Sequence, residues 1–238
     1  MPVPASSQLN SNHTAARQAS TDPRAFQLHS RQSVERIRLE SYISSKYHQV
    51  HEASISEFLP LLLEMRGIQT EGCLGLRPGC FKPMFLEQYL KSPVEQQVAR
   101  LTQQPIDRHA LVEVGNLAAT RKGSWIPLFV VMSMALYEAG FEWMVFTVTQ
   151  EVERLMHFLN FQPRYLAPAD PVCLENNQQL WGRYYEHNPR VMVGNLRCAA
   201  ITVKEKTTLA SIAHHHSQAI ETIAESLLNY RRLPETLK

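Results

Sequence analysis

Residues 111–149 read LVEVGNLAATRKGSWIPLFVVMSMALYEAGFEWMVFTVT, and this stretch decides the expected fold. Two apolar runs of strand length, 111–120 and 141–149, flank a nearly all-apolar block of helix length, 125–139. Gly140 closes that block, since glycine commonly ends helices. Two buried strands joined through one helix form a βαβ unit. The pattern therefore predicts a pair of parallel strands at the centre of a sheet.

The break between the first run and the helix consists of Arg121, Lys122, Gly123 and Ser124. A helix start presents free backbone N–H groups and the positive end of the helix dipole. Two basic side chains stand beside it. We therefore expect this turn to hold a phosphate-bearing group.

Glu113 lies inside the first apolar run, where an unpaired carboxylate would be costly to bury. Two interpretations stay open. Glu113 is a general base that faces a cleft, or it is a structural carboxylate bonded to backbone N–H groups or to Arg121.

The composition is that of an ordinary globular chain. Of 238 residues, 44% are apolar and 19% are charged, and the formal net charge is +2. The length suits one medium domain with an appendage. So small a net charge implies no broad attraction to nucleic acid or to anionic membranes, and we expect no nucleic-acid partner.

The cysteines and the apolar segments indicate a reduced, cytoplasmic protein. Cys73, Cys80, Cys173 and Cys198 match no zinc spacing, and a disulfide framework is not expected at this length. The start of the chain has no basic-then-apolar leader, so Sec export is not indicated. Block 125–139 is too short to cross a bilayer, and we expect no stable membrane insertion.

The flanking regions complete an expected domain of residues 28–238, preceded by a disordered tail of residues 1–27 that is rich in Ser, Asn, Gln and Thr. The remaining predicted elements are helix 33–51, a hairpin of strands 58–65 and 68–76, loop 77–82, a helix capped by Ser92, helix 150–160, strands 164–167, 191–194 and 199–203, and one long amphipathic helix at 209–228. The order is that of an α+β or three-layer α/β fold with a mixed, twisted sheet of six or seven strands and helices on both faces.

Several separated motifs resemble the bacterial thermostable hemolysin family. They are FLEQYL at 85–90, EVGNLA at 113–118, FTVT at 146–149, LAPADP at 166–171 and WGRYY at 181–185. The resemblance spans roughly residues 29–195. That family is similar to GNAT-like acyl-CoA N-acyltransferases and more distantly to acyl-homoserine-lactone synthases, so a GNAT-like fold is implied.

The resemblance also implies a chemistry. A fatty acyl group would move from an acyl-CoA or from the phosphopantetheine of an acyl carrier protein to a small amine, with no permanently bound cofactor. Residues 121–124 would bind the donor phosphate. The usual acetyltransferase turn, Arg/Gln-x-x-Gly-x-Gly/Ala, has a second glycine that this turn lacks. A carrier-protein donor, with one phosphate on its arm, would tolerate the weaker cradle.

Further candidates each keep a plainer alternative. Tyr184 and Tyr185 are candidate acids for the leaving thiolate or simply packing residues. Asn116 orients a substrate or bulges its strand. Thr147 and Thr149 face the acyl chain or merely reflect β-propensity. Trp181, in the same motif as the two tyrosines, is a candidate substrate contact.

His214, His215 and His216 invite a metal hypothesis, but consecutive helical residues point in different directions. We therefore expect a solvated helix face and no metal. Two rival functions stay open beside the enzyme: a membrane-active hemolysin, and a catalytically inactive GNAT-like binding module. The amine, the acyl length, the carrier and the oligomeric state are not specified by these motifs.

Overall fold

The computed structural model describes residues 25–120, 123 and 125–232, except for the side chains of residues 175–177. The strands are β1 (Ala25–His29), β2 (Leu61–Arg66), β3 (Thr70–Pro78), β4 (Leu111–Ala119), β5 (Trp143–Val148), β6 (Arg164–Pro168) and β7 (Arg190–Asn195). Within the described residues they form one seven-stranded sheet in the order β1-β2-β3-β4-β5-β7-β6. The expected mixed sheet is confirmed.

Helices cover both faces of the sheet. They are α1 (Arg36–His51), α2 (Val94–Thr102), α3 (Trp125–Glu138), α4 (Gln150–Phe158), α5 (Leu196–Glu205), α6 (Thr207–His215) and α7 (Ser217–Arg232). Short 3-10 helices span Phe85–Tyr89, Arg108–Ala110, Pro171–Trp181 and Tyr184–His187. The nearly all-apolar α3 is buried between the sheet and α5, α6 and α7. Helices α1 and α2 lie over the other face.

The predicted βαβ unit is confirmed, because β4 and β5 are adjacent and parallel, with Glu113 opposite Val145. Their pairing ends at Val114 and Phe146. Strand β4 then continues to Ala119 beside β3, while β5 ends at Val148. The two strands thus part at their carboxyl ends and leave a cleft, as expected for this fold.

A β-bulge lies where the two strands part. Gly75 of β3 pairs with Gly115, whereas Cys73 pairs with Ala118, so β4 carries one extra residue between these pairs. Asn116 takes the left-handed conformation, with φ at 50°, a region that asparagine tolerates better than most residues. Its side-chain Oδ1 accepts a hydrogen bond of 2.9 Å from the backbone N–H of Leu59. The interpretation of Asn116 as a bulge residue is confirmed.

The outer edge of the sheet corrects the expected boundary of the tail, since residues 25–27 belong to β1. This strand pairs antiparallel with β2. The buried carboxylate of Glu64 lies 3.2 Å from His29 Nε2 and 3.0 Å from Arg38 Nη2. Glu64, the carboxylate that His29 contacts, is distant in sequence, so local composition did not reveal the strand. Residues 1–24 lie outside the described residues.

The carboxyl-terminal region differs from the prediction in two places. Residues 199–203 belong to α5 and not to a strand, because Asn195 caps the helix and Leu196, Ala199 and Val203 recur at helical spacing. The expected single helix is broken at His216, which is buried against Phe26 at 4.8 Å between ring centroids. His214 and His215 are exposed, as expected, whereas the burial of His216 contradicts the expected solvated face.

Two smaller predictions near the first hairpin are also wrong. Arg77 and Pro78, assigned to a loop, are the last residues of β3. Ser92 does not cap α2; Pro93 holds that position without a side-chain hydrogen bond. Glu95 instead forms an ion pair of 2.7 Å with Arg108.

Residues 53–60 connect α1 to β2 and cross the sheet over Gly75 and Gly115. Arg36 holds this segment by donating hydrogen bonds of 3.0 and 2.7 Å to the carbonyls of Pro60 and Leu59. A Cβ atom on Gly75 would lie 2.8 Å from Leu59 Cβ and 2.8 Å from Asn116 Oδ1. Glycine at position 75 therefore permits the close approach that covers the cleft.

We expect Gly75→Ala to lower the free energy of unfolding by roughly 1–3 kcal/mol, the usual scale for overpacking a core. Urea unfolding followed by circular dichroism measures it. Gly67→Ala is the matched control, because a Cβ there meets the flexible end of the Glu71 side chain first. Equal stability of the two variants would contradict the close-packing argument.

Candidate active site

A cavity of about 300 Å³ lies in the cleft between β4 and β5. Its wall includes residues of both strands, the amino-terminal turns of α3 and α4, the last turn of α1, and segment 53–60. The cleft is a direct consequence of the parted strands. The chain thus forms a cavity where the βαβ unit predicts a cleft.

One half of the cavity is apolar. It is lined by Leu74, Val114, Leu117, Trp125, Phe129, Met144, Phe146, Val148, Val152 and Met156. Those on strands lie on the face of the sheet that packs on α3, and the others come from α3 and α4, so the pocket continues into the main hydrophobic core. Such a surface favours an alkyl chain over any polar ligand.

Glu113 marks the other half of the cavity and is only 3% exposed. Its Oε2 accepts a hydrogen bond of 3.0 Å from the N–H of Phe85, and its Oε1 accepts one of 2.8 Å from the N–H of Leu86. Burial raises the pKa of Glu113, although Arg77 and the two N–H groups oppose that shift. The carboxyl therefore titrates above the range of an ordinary glutamate.

The structural interpretation of Glu113 is thus met by backbone N–H groups and by Arg77. Arg121, the partner we considered, lies outside the described residues. A carboxylate has room for about four hydrogen bonds. The structural contacts therefore leave capacity for a ligand, and the two interpretations do not exclude each other.

A second carboxylate holds the 3-10 helix that faces Glu113. Glu87 accepts hydrogen bonds from the N–H groups of Met84 and Val94, and it forms a 2.7 Å ion pair with Arg108. Burial alone would raise the pKa of Glu87, but the bond from Arg108 and the two backbone bonds lower it to about 2. This cluster positions the two N–H groups that bind Glu113.

Arg77 stands directly opposite Glu113 in the pairing of β3 with β4. Its Nε lies 3.6 Å from Glu113 Oε2, and its Nη1 donates to the carbonyl of Pro83. The sequence analysis missed this residue, because it was assigned to a loop. Only the cross-strand register reveals that it reaches the site.

Aromatic rings form the wall beside Glu113. Trp181 lies 5.6 Å from Phe85 and 5.3 Å from Tyr184, measured between ring centroids. Burial raises the pKa of Tyr184 well above that of free tyrosine and raises the pKa of Tyr185 to about 12. Both phenols are therefore protonated at neutral pH.

The structure brings most of the predicted site residues together. Those that line the cavity are Glu113, Asn116, Thr147, Thr149, Trp181 and Tyr184. Tyr185 is not among the lining residues. Its hydroxyl forms a 2.5 Å hydrogen bond with the hydroxyl of Tyr89, which does line the cavity.

The expected phosphate turn is only partly described. Gly123 has φ at 87°, and the space around its Cα is open. Arg121, Lys122 and Ser124 lie outside the described residues.

Sequence reasoning missed several lining residues besides Arg77. Tyr47 and His51 reach the cavity from α1, and Glu57 and Leu59 reach it from the segment that crosses the sheet. Phe85 and Tyr89 lie in the FLEQYL motif, which could have indicated them. The others had no local signal.

The described residues contain no cluster of His, Cys, Asp or Glu suited to a metal ion. In the described part of the chain, no helix combines the length and the apolar character needed to cross a membrane. All four cysteines are free, and Cys73 and Cys80 are buried.

Three solved structures resemble this fold, each with a TM-score of 0.51. BjaI, a CoA-dependent acyl-homoserine lactone synthase with SAM and isopentyl-CoA, is 12% identical; the match covers 82% of this chain and 89% of that one. FeeM, an N-acyl amino acid synthase from uncultured soil microbes, is 13% identical, with 79% and 98% covered. TofI in an apo form is 12% identical, with 78% and 99% covered. These likenesses confirm the expected fold.

A search of curated proteins finds no match. A family profile, by contrast, matches residues 29–200, which is most of the chain and includes all of the quoted motifs. This chain therefore belongs to the thermostable hemolysin family.

Proposed function

We propose that this protein is an acyltransferase that moves an acyl group from a thioester to an amine. One observation carries the proposal: a buried carboxylate of raised pKa stands at the fork of two parting parallel strands, beside an apolar pocket. The named activities of the structural neighbours, a lactone synthase acting with CoA thioesters and an N-acyl amino acid synthase, support the same class.

Glu113 acts as the general base in this proposal. An amine is mostly protonated at neutral pH and must lose a proton before or during attack. A carboxylate of raised pKa accepts that proton more readily than an ordinary one. The hydrogen bonds from Phe85 and Leu86 keep the carboxylate oriented, because both N–H groups are fixed by the 3-10 helix.

The acyl transfer then breaks one bond and forms another. The amine nitrogen attacks the thioester carbonyl, the C–N bond forms, the C–S bond breaks, and the thiolate leaves with the carrier arm. Strand β4 beyond Val114 has lost its β5 partner in the described pairing, so its backbone can donate to the developing oxyanion. Tyr184, protonated and at the cavity wall, donates a hydrogen bond to the leaving sulfur, and the proton that Glu113 took from the amine completes the free thiol.

The donor arm enters where α3 begins. We assign Arg121, Lys122, Gly123 and Ser124 to the donor phosphate, as the resemblance implies, with acyl-CoA and acyl carrier protein as the two donor classes. Thr147 and Thr149, which line the cavity, and Trp181 contact the bound substrates. No resident cofactor takes part.

The test incubates purified full-length protein with acyl-CoA and acyl carrier protein thioesters and a panel of amines. Thiol release and mass spectrometry of the products report transfer. Thioester binding without any transfer would instead indicate a binding module. Leakage of liposomes by pure protein without substrate would indicate a directly membrane-active hemolysin, the function that the family's name suggests.

We expect Glu113→Gln to fold, to bind the donor and to lose roughly a hundredfold or more in kcat, the scale for a positioned base. Glutamine has only one side-chain acceptor oxygen, so one N–H loses its partner at a cost of about 1 kcal/mol. Wild-type activity should rise with pH through the raised pKa of Glu113, since only the ionised form accepts a proton.

Glu87→Gln is the control for a merely structural carboxylate, because Glu87 does not line the main cavity. It should lower stability and move the pH profile only slightly to lower pH, because the charge of Glu87 contributes least to the raised pKa of Glu113. Full activity in a folded Glu113→Gln variant would refute the role as base. Loss of folding in that variant would mark Glu113 as structural.

We expect Val152→Phe to shift the preferred acyl chain to shorter lengths, because Val152 projects from α4 into the apolar half of the cavity. Each methylene that no longer fits should cost roughly 1 kcal/mol or more of discrimination. Initial rates with acyl donors of graded length measure it. Leu155→Phe on the same helix is the matched control, as Leu155 is 38% exposed and not part of the wall. An unchanged length profile in Val152→Phe would place the acyl chain elsewhere.

A further inference from the structure

One guanidinium stands where two cavities meet. A second cavity of about 460 Å³ adjoins the main one and shares Glu57, Arg77, Phe85 and Trp181 with its wall. Arg77 is the only lysine or arginine among the described residues that line either cavity. An amine acceptor that binds beside Glu113, where the two cavities meet, therefore meets the charge of Arg77.

Part of the Arg77 guanidinium has no hydrogen-bond acceptor among the described residues. Arginine has five N–H donors. Nη1 donates to the Pro83 carbonyl, and Nε lies 3.6 Å from Glu113 Oε2. No acceptor for Nη2 occurs among the described residues, and the side chain is only 18% exposed. A partly buried guanidinium with free donors matches an anionic ligand, and its planar fork suits a carboxylate.

We infer that the acceptor amine is an α-amino acid, whose carboxylate binds Arg77 while its amino group lies at Glu113. The inference rests on the proposed acyl transfer. Arg77 and Glu113 are cross-strand neighbours of opposite charge, so a complementary ligand must carry its own two groups equally close together. An α-amino acid carries both on one carbon. A simple alkylamine would bury Arg77 further from water without a partner for its free donors, which is unfavourable.

The second cavity indicates what the amino acid side chain contacts. Its apolar wall consists of Ile55, Pro83, Met84, Phe85, Leu174, Leu180 and Trp181. Ser56, Glu57 and Gln88 add polar groups. Apolar and aromatic amino acids therefore fit this space better than basic or acidic ones.

The experiment compares matched acceptors with the full-length protein and one acyl-CoA donor. Phenylalanine is paired with phenethylamine, and leucine with isopentylamine, so each pair differs only in the carboxylate. We expect the amino acid to have a kcat/KM about tenfold or more above that of its amine, since a site built to bind a polar group rejects analogues without it. Equal or faster acylation of the amines would overturn the inference while leaving acyl transfer itself intact. Preference for taurine or phosphoethanolamine would overturn the carboxylate assignment.

A variant then ties the selectivity to Arg77. Arg77→Gln should lower the ratio of kcat/KM for phenylalanine to that for phenethylamine about tenfold or more, because any effect of Arg77 on the pKa of Glu113 falls on both substrates, while Arg77→Lys should retain part of the preference. Arg66→Gln is the control, because Arg66 is an exposed arginine at the end of β2 that lines neither cavity. An equal loss with both substrates would mean that Arg77 acts only through Glu113, and would overturn the carboxylate contact.

The wild-type comparison decides the inference even if Arg77→Gln fails to fold. If the donor binds but no acceptor in the panel causes release of thiol, the proposed amine acylation is overturned, and the inference with it. Failure of acyl transfer is therefore distinguishable from acyl transfer that shows no preference for a carboxylate.

Discussion

Strand β4 loses its parallel partner after Val114, and the organisation of the site follows from that parting. The bulge at Asn116 adds a residue to β4 in its pairing with β3, just beyond the last pair with β5. Beyond that point the β4 backbone lines a cavity instead of pairing with β5. Because the sheet is covered on both faces, the opening is enclosed by α3 and α4 on one side and by segment 53–60 on the other.

Buried side chains then hold irregular backbone around the opening. Asn116 accepts from Leu59, Arg36 donates to two carbonyls of the same segment, and Glu113 accepts from two N–H groups of a 3-10 helix. Loops near a cavity carry backbone groups that must find partners. Here side chains of strands and helices provide them. The residue proposed for catalysis is therefore also part of the scaffold, so its chemical role must be separated from its structural one by isosteric variants.

The charged side chains around Glu113 differ in how many hydrogen bonds and ion pairs they form. Glu87 is fully engaged with Arg108 and backbone, so its pKa is lowered to about 2 and it is fixed as an anion. Glu113 is buried more deeply and has weaker support from Arg77, and burial raises its pKa. Two carboxylates that are neighbours in space thus divide into one that holds structure and one suited to exchange a proton.

The sequence by itself determined the βαβ unit, the buried carboxylate and the family, because these depend on apolar runs, on their spacing and on motifs carried within short segments. Among the cavity residues on β4 and β5 it also singled out Glu113, Asn116 and Thr147. It did not reveal Arg77, Glu57 or β1, and it assigned residues 199–203 to a strand. Only the tertiary structure decided these, because the register between β3 and β4, the crossing of segment 53–60 over Gly75, and the pairing of His29 with Glu64 are contacts between residues far apart in the chain.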